Sequence, residues 1–493
     1  MCVDPISLTI ERHAGLRQSD CLACDVCCRF PEPGSAFAPF FSNKEIEHAC
    51  TSGLDRDSFP PGRFGRGHAA LLVRRDAHFV CPAFDAPSNA CRIYRVRPLD
   101  CRLYPYILMY EPDGGAIWLA LDGNCPVLSA PGRREAVRSC ALRLADLLEG
   151  TAIGEVEDCG GIVGEWKPHA RPLVRLEKLS RVLCRNDLGL KRLTLSARRI
   201  LAPYFEANAP ALSMYAFASV HVWSCAFDIW WKHVGQRIVI VALGDGDCFM
   251  IVPPMGDGDP TEAATEGLHL IENLRPGGAS PRIQEADESL KAALSGKGWR
   301  TTRWSVEYVC ARKDLSELSG NRYEKKRQMC NRFERDNRWN WRPFASADLC
   351  DVVSLYRSWL SERCATHPEP FFTAQAEASF RCLIHALKNA EALGIVARVL
   401  EAGGRLVGVT AGTPLADGRS FFVMFEVADR SVRGAAQFMF RQFCRELEGF
   451  DWINMGGSSG LSNLERVKES YHPLWRPRAY VLAPDIHNSP ERA

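Results

Sequence analysis

Apolar positions along this chain fall into two rhythms. Recurrence every three or four residues predicts helices over AVRSCALRLADLLEG (136–150), ATEGLHLIENL (264–274), ESLKAALSGKGW (288–299), SADLCDVVSLYRSWLSER (346–363), EASFRCLIHALKNAEALG (377–394) and SVRGAAQFMFRQFCRELEG (431–449). Alternating or continuous apolar runs predict strands at IVIVAL (238–243), CFMIVPPM (248–255), TRWSVEYVC (302–310), ARVLEAGGRLVGVTAGTPL (397–415), RSFFVMFEVAD (419–429) and DWINMGG (451–457). GDGD joins the first two as a hairpin, and the GG of EAGGRL turns another.

The longest apolar stretch, residues 211–235, carries His221, Asp228, Lys232 and His233. Those groups are costly at a bilayer centre, so the stretch reads as a strand or helix pair rich in buried aromatics. No integral membrane segment is expected. The start MCVDPISLTIERHAG has no basic region followed by an apolar one, so a cytoplasmic location is expected.

At roughly 150 residues per domain, 493 residues predict about three domains. Residues 1–188 form one, ending in a helical tail and the bridge WKPHARPLVRLEKLSRVL; 189–345 and 346–490 share a helix-and-strand grammar. A hydrophobic content of 46% with 24% charged residues is that of a globular protein. The net charge of +2 advertises no global field for nucleic acid or membranes.

Cysteines change this picture. CLACDVCC places Cys21, Cys24, Cys27 and Cys28 within eight residues, and Cys81, Cys91, Cys101 and Cys125 follow. Cys-x-x-Cys steps let thiolates converge on one metal, and closed thiolate sites suit zinc or an iron–sulfur cluster. Eight thiolates exceed one four-cysteine site, so either two sites exist or some thiols are spare, and the adjacent Cys27 and Cys28 are expected to serve different metals. The alternative is structural or redox thiols. Arg97 and Arg102 either offset thiolate charge or are surface arginines. Single cysteines such as Cys184, Cys248 and Cys382 read as small buried hydrophobes.

CLACDVCC, VCPAFD and NACRIYRVRPLDCRLYP resemble the YkgJ-type cysteine-cluster family of zinc- or iron-chelating domains over roughly 18–130. The resemblance implies metal chelation by the cysteines.

A long helix, a hairpin meander, a helix and a further strand is the element order of a GNAT-type acyltransferase, and its recurrence implies a tandem pair. The expected fold is therefore α+β: a small cysteine-rich metal-binding module followed by two tandem GNAT-like acyltransferase domains. LSELSGNRYEKKRQMCNRFERDNRWNWRPF (315–344) and WINMGGSSGLSNLERVKESYHPLWRPRAYVL (452–482) are similar to the C-terminal domain of phosphatidylglycerol lysyltransferases. That resemblance, over roughly 190–485, implies transfer of an aminoacyl group from aminoacyl-tRNA to a lipid, peptide or small-molecule acceptor. Its motif positions here are Asn454, Leu464, Lys468, Tyr471 and Pro473. The family's acidic residues after the Asn are replaced by Gly456, Gly457 and Ser458, and its upstream flippase by the cysteine module.

Aminoacyl transfer needs a placed nucleophile, a base and oxyanion donors. Glu426 and Asp429 are candidates for base or amine recognition, or else a surface Glu and a turn-capping Asp. Lys468 is a candidate to polarise the ester. Lys325, Lys326, Arg327 and Arg332 are candidates for the tRNA 3′ end or a phosphate head group, or else a solvated helix face. Gly434 and Tyr471 complete the substrate-binding set. SVRGAA (431–436) is a degenerate form of a CoA pyrophosphate cradle, because Ser431 replaces Arg or Gln. Two further readings stay open: a metal-binding regulatory or carrier protein whose GNAT-like module only binds a ligand, and a CoA-dependent N-acyltransferase.

Overall fold

The run Ile238–Ala242 has no accessible surface at all, as expected of an apolar strand covered on both faces. It belongs to a mixed helix-and-sheet chain seen in a computed structural model, which describes residues 4–24, 26–35, 37–59, 67–76, 78–207, 211–244, 246–275, 280–366 and 370–485. Asp245 of the GDGD turn and the expected end at 490 lie outside these. The chain divides into two compact units, Met1–Ala197 and Arg198–Ala493. No helix among the described residues is long and apolar enough to cross a membrane.

The first unit has two apolar cores. One gathers Ile6, Leu103, Tyr106, Leu119, Val137, Leu144, Leu148 and Cys125 around the helix Arg134–Leu148 and the antiparallel strands Tyr106–Tyr110 and Ile117–Leu121. The expected bridge contributes the third strand of that sheet, Arg171–Arg175. The other core gathers Phe30, Phe41, Ile46, Phe79, Cys81 and Ile93. Cys184, Cys248 and Cys382 are buried.

In the second unit the strands are β1 (Asp228–Val234), β2 (Arg237–Gly244), β3 (Asp247–Met250), β4 (Ile283–Ala286), β5 (Trp299–Ala311), β6 (Trp339–Pro343), β7 (Val396–Ala402), β8 (Arg405–Pro414), β9 (Ser420–Ala428), β10 (Trp452–Gly457) and β11 (Arg478–Pro484). They form one sheet in the order β1-β2-β3-β4-β11-β5-β10-β9-β8-β7-β6. The helices used below are α1 (Pro260–Leu274), α2 (Glu324–Asp336), α3 (Leu349–Thr366), α4 (Pro370–Lys388), α5 (Ala435–Glu446) and α6 (Ser462–Glu469). The long apolar stretch splits into a helix, Phe217–Val222, a tight turn and β1. These are two tandem GNAT-like halves on one sheet.

The halves exchange strands. β11, from the end of the chain, lies between β4 and β5. β5 pairs with β11 over Trp299–Val306 and with β10 over Glu307–Ala311. Its register slips at Arg303–Ser305 and again at Glu307–Val309. β-Bulges of this kind bend a strand and re-aim its side chains.

Candidate active site and metal centre

β9 and β10 are parallel and pair only at Ser420, Phe421 and Phe422 against Trp452, Ile453 and Asn454. Beyond that point β9 stays with β8 while β10 follows β5, so the two strands splay apart. Lys468, on α6, is anchored to the end of β10 there: its Nζ donates to the carbonyls of Met455 and Gly457. Asn454 is fully buried. Its Nδ2 donates to Ala211 O at 2.8 Å and to Glu307 Oε2 at 2.6 Å, and its Oδ1 accepts from Gly456 N at 2.7 Å. Gly456 takes a left-handed φ of 69° there, which suits the residue that stands in place of an acid.

The carboxylate beside Asn454 comes from β5 instead. Glu307 accepts from Ser213 N at 2.9 Å and Ser213 Oγ at 2.5 Å as well as from Asn454. Burial raises its pKa, and those hydrogen bonds oppose the rise. Glu285 lies close enough for the two carboxylates to repel, and burial plus that repulsion push Glu285 up to about 8. Sequence reasoning missed both residues; the available signal was an acid inside the apolar run VEYV.

Glu426 sits on the diverging part of β9, opposite Thr410. It is an exposed residue by accessible surface, while neighbouring protein atoms desolvate its carboxyl. Enclosure pushes it up to about 7, while Lys468 and Lys326 pull it down. Burial pushes Lys468 down to about 8 against the pull of Glu307 and Glu426. Lys326 is likewise pushed down to about 8. It donates to Ser470 Oγ at 2.8 Å and lies 3.5 Å over the Tyr471 ring. Burial, then Glu426, raises the Tyr471 phenol. One carboxylate, two lysines and one phenol therefore share this place.

The other candidates lie differently. Lys325 is exposed. Arg327 donates to the carbonyls of Leu318 and Gly320, and Arg332 pairs with Asp336 at 3.3 Å. Asp429 caps a turn by accepting from Ser431 N at 2.8 Å and Oγ at 2.6 Å, and it pairs with Arg405 at 2.6 Å. Burial raises its pKa, but these partners outweigh burial and the net shift is downward. Gly434 precedes α5 with φ 84°, where a Cβ would fall 2.2 Å from Met329 O on α2. A polar cavity of about 640 Å³ lies between α3 and the β7–β8 hairpin, lined by Arg342, Asp351, Trp359, Glu401, Arg405 and Asp429. Its Arg342 is already paired with Asp348 and Glu401, and its Arg405 with Asp429, so the shifted groups that chemistry needs lie at the splay.

In the first unit, Cys21, Cys24, Cys27 and Cys125 line one small cavity with Asp20 and Tyr104. Cys81, Cys91 and Cys101 feel one another's charge, and Cys28 is tied to them through Cys81 N, which donates to Cys28 O at 3.2 Å. Cys27 hydrogen-bonds Cys28 and is felt by both groups. Burial raises Cys21 to about 11 and Cys81 to about 12, and it also raises Cys101 well above its ordinary value. Arg97 is the cation that Cys21, Cys27, Cys91 and Cys101 share, whereas Arg102 pairs with Asp4 at 3.1 Å and Glu155 at 2.6 Å. Among the described residues no three ligating side chains are already gathered to hold an ion. The donor set itself, thiols offset by an arginine, fits zinc or an iron–sulfur cluster.

Residues 20–126 match the CxxCxxCC family, described as "Putative zinc- or iron-chelating domain". Residues 209–483 match the family described as phosphatidylglycerol lysyltransferase, C-terminal. No curated protein matches the chain. Among solved structures, a conserved protein of unknown function from Bacteroides thetaiotaomicron VPI-5482 is similar at 22% identity and TM-score 0.53, over 60% of this chain and 99% of that one. The L-PGS from Bacillus licheniformis is similar at 16% identity and TM-score 0.43, over 58% and 92%. A tandem GNAT protein from the clavulanic acid biosynthesis pathway is similar at 10% and 0.37, over 60% and 98%. With more than half of its length matched by that one family, the chain belongs to the phosphatidylglycerol lysyltransferase C-terminal domain family.

Proposed function

We propose that the second unit transfers an aminoacyl group from aminoacyl-tRNA to an acceptor hydroxyl or amine, in the cytoplasm where that donor is made. The observation that carries this reading is Glu426, raised to about 7 at the strand splay beside two lysines lowered to about 8. A base poised near neutrality is what proton abstraction from a hydroxyl requires. Glu426 takes the acceptor's proton as the acceptor atom bonds to the ester carbonyl carbon. Lys468 offers positive charge to the developing oxyanion. The bond to the tRNA 3′-terminal ribose oxygen then breaks, and Lys326 supplies that oxygen with its proton. The acceptor is a lipid head group, a peptide or a small molecule.

CoA dependence is the weaker reading. The Ser431 N–H that would meet a pyrophosphate is already given to the Asp429 carboxylate, whose charge repels phosphate. In the first unit the eight cysteines are assigned to zinc or iron, which when bound would cross-link that unit.

The test is transfer of labelled amino acid from charged tRNA to lipid, peptide and small-molecule acceptors by the full chain and by Glu426→Gln. Label appearing on an acceptor, with the variant slowed 10²-fold or more, supports the reading. Label that stays on tRNA with every acceptor, together with a melting shift on adding CoA, would replace it.

A further inference from the structure

Over Trp299–Val306, β5 has β11 on one edge and no other strand among the described residues. Arg300 to Trp304 are all exposed, and this stretch, WRTTRWSV, holds no acid. The side chains of Arg300, Arg303 and Arg478, the last opposite Val306, make no hydrogen bond or salt bridge among the described residues, and Arg478 lies near enough to Glu288 to help lower its pKa.

Two bulges face each other across β11. On β4, Ile283 and Ala286 lie opposite Leu482 and Tyr480, so Glu285 falls in the irregular step, with a left-handed φ of 57°. On β5, Arg303 and Ser305 lie opposite Tyr480 and Ala479, so Trp304 is the extra residue. The two re-aimed side chains meet: Trp304 Nε1 donates to Glu285 Oε1 at 3.0 Å. Glu285 Oε2 is buried without a partner, and its neighbour Glu307 bonds Asn454 at the splay. Trp304 is nevertheless 53% exposed. An indole held by its N–H with its ring left in water is a prepared stacking surface, and its partner Glu285 lies near Glu307, which bonds Asn454 at the splay.

We infer that Trp304 and the open edge of β5 dock the unpaired 3′ end of the RNA donor, with a base stacked on the indole and phosphates on Arg300, Arg303 and Arg478. This rests on the reading of the donor given above. Base–aromatic stacking contributes roughly 1–3 kcal/mol per base, and guanidiniums release counterions from phosphates. An open strand edge also accommodates an extended peptide, but the arginines and the lack of an acid over Trp299–Val306 favour a polyanion.

The experiment is fluorescence anisotropy of the full chain with a labelled single-stranded oligoribonucleotide ending in CCA-3′. Trp304→Ala weakens binding about tenfold or more, while Trp304→Phe keeps most of it. The double variant Arg300→Gln, Arg303→Gln lowers the slope of log K against log salt by about 1.4. Absence of RNA binding by the unmodified chain would overturn the inference. So would wild-type affinity in Trp304→Ala with an unchanged slope in the double variant, or binding of extended peptides in place of RNA. Trp304-dependent RNA binding without aminoacyl transfer would leave this surface standing and sink the reading of the reaction. Transfer indifferent to Trp304 would do the reverse. Should Trp304→Ala melt early, the arginine pair and Trp304→Phe carry the test.

Discussion

Asn454 Nδ2 lies 2.6 Å from Glu307 Oε2, and the two side chains are 0% and 3% exposed. The pair joins β10 of one half to β5 of the other at the place where β9 and β10 part. A buried carboxylate that loses a donor must bear part of its desolvation cost. Asn454→Ala is therefore expected to destabilise the second unit by about 1.5–3 kcal/mol. Urea unfolding measures this, and an unchanged midpoint would mean that Ser213 alone satisfies Glu307.

Glu426 and the two lysines make pH the next probe. Transfer is expected to rise as pH passes about 7, when Glu426 becomes the free base. It is expected to fall above about 8, when Lys326 and Lys468 lose their protons. Glu426→Gln removes the acid limb and leaves the alkaline one. Stability follows the opposite sense. A carboxyl raised in the folded state costs stability progressively as pH climbs from its ordinary value near 4.5 to about 7. Lysines lowered to about 8 cost stability fully below that pH and release it toward 10.5. Glu426→Gln should thus melt higher than the parent at pH 8; a lower melting point there would place Glu426 in a stabilising ion pair instead.

The cysteine module should load metal in a strongly pH-dependent way. Burial keeps Cys21 and Cys81 protonated up to about 11 and 12, and each thiol must release its proton to coordinate. Zinc or iron content after dialysis is expected to fall between pH 8 and pH 6. Cys27→Ser with Cys28→Ser should remove metal while residues 198–485 stay folded. Unchanged stoichiometry by elemental analysis would move the ligand assignment elsewhere.

Gly434 supplies a steric test. An added Cβ would fall 2.2 Å from Met329 O, in a left-handed backbone. Gly434→Ala should cost on the order of 2 kcal/mol or more, because α2 and α5 must part. A variant of wild-type stability, measured by urea unfolding, would show that the two helices can separate freely.

Much of this fold was legible because the patterns involved are local. Ile238–Leu243 announced β2 by composition, the GG at 403–404 announced the β7–β8 hairpin, and the 3.6-residue rhythm announced α5. The return of β11 between β4 and β5 was not legible, because nothing in RAYVLAP names a partner some 170–185 residues upstream. The site divides the same way. Asn454, Lys468 and Tyr471 came from motif resemblance, and Glu426 from its place at the end of a strand. Glu307, Glu285 and Trp304 depend on bulges, which are set by pairing rather than by sequence rhythm. On α2 the basic run looked uniform, but only Lys326 reaches the Tyr471 ring, while Arg327 is spent on its own loop.

The 13-residue β5 has a consequence for how this protein can be inherited. Two copies of an ancestral domain that merely sat side by side could later be reshuffled, trimmed or lost one at a time. A strand that serves both copies forbids such editing: deleting either copy strips the survivor of a central strand or of its closing neighbour. The pair is thus expected to melt as one calorimetric transition and to descend as one heritable part, whereas the metal module ahead of it is a separate compact unit.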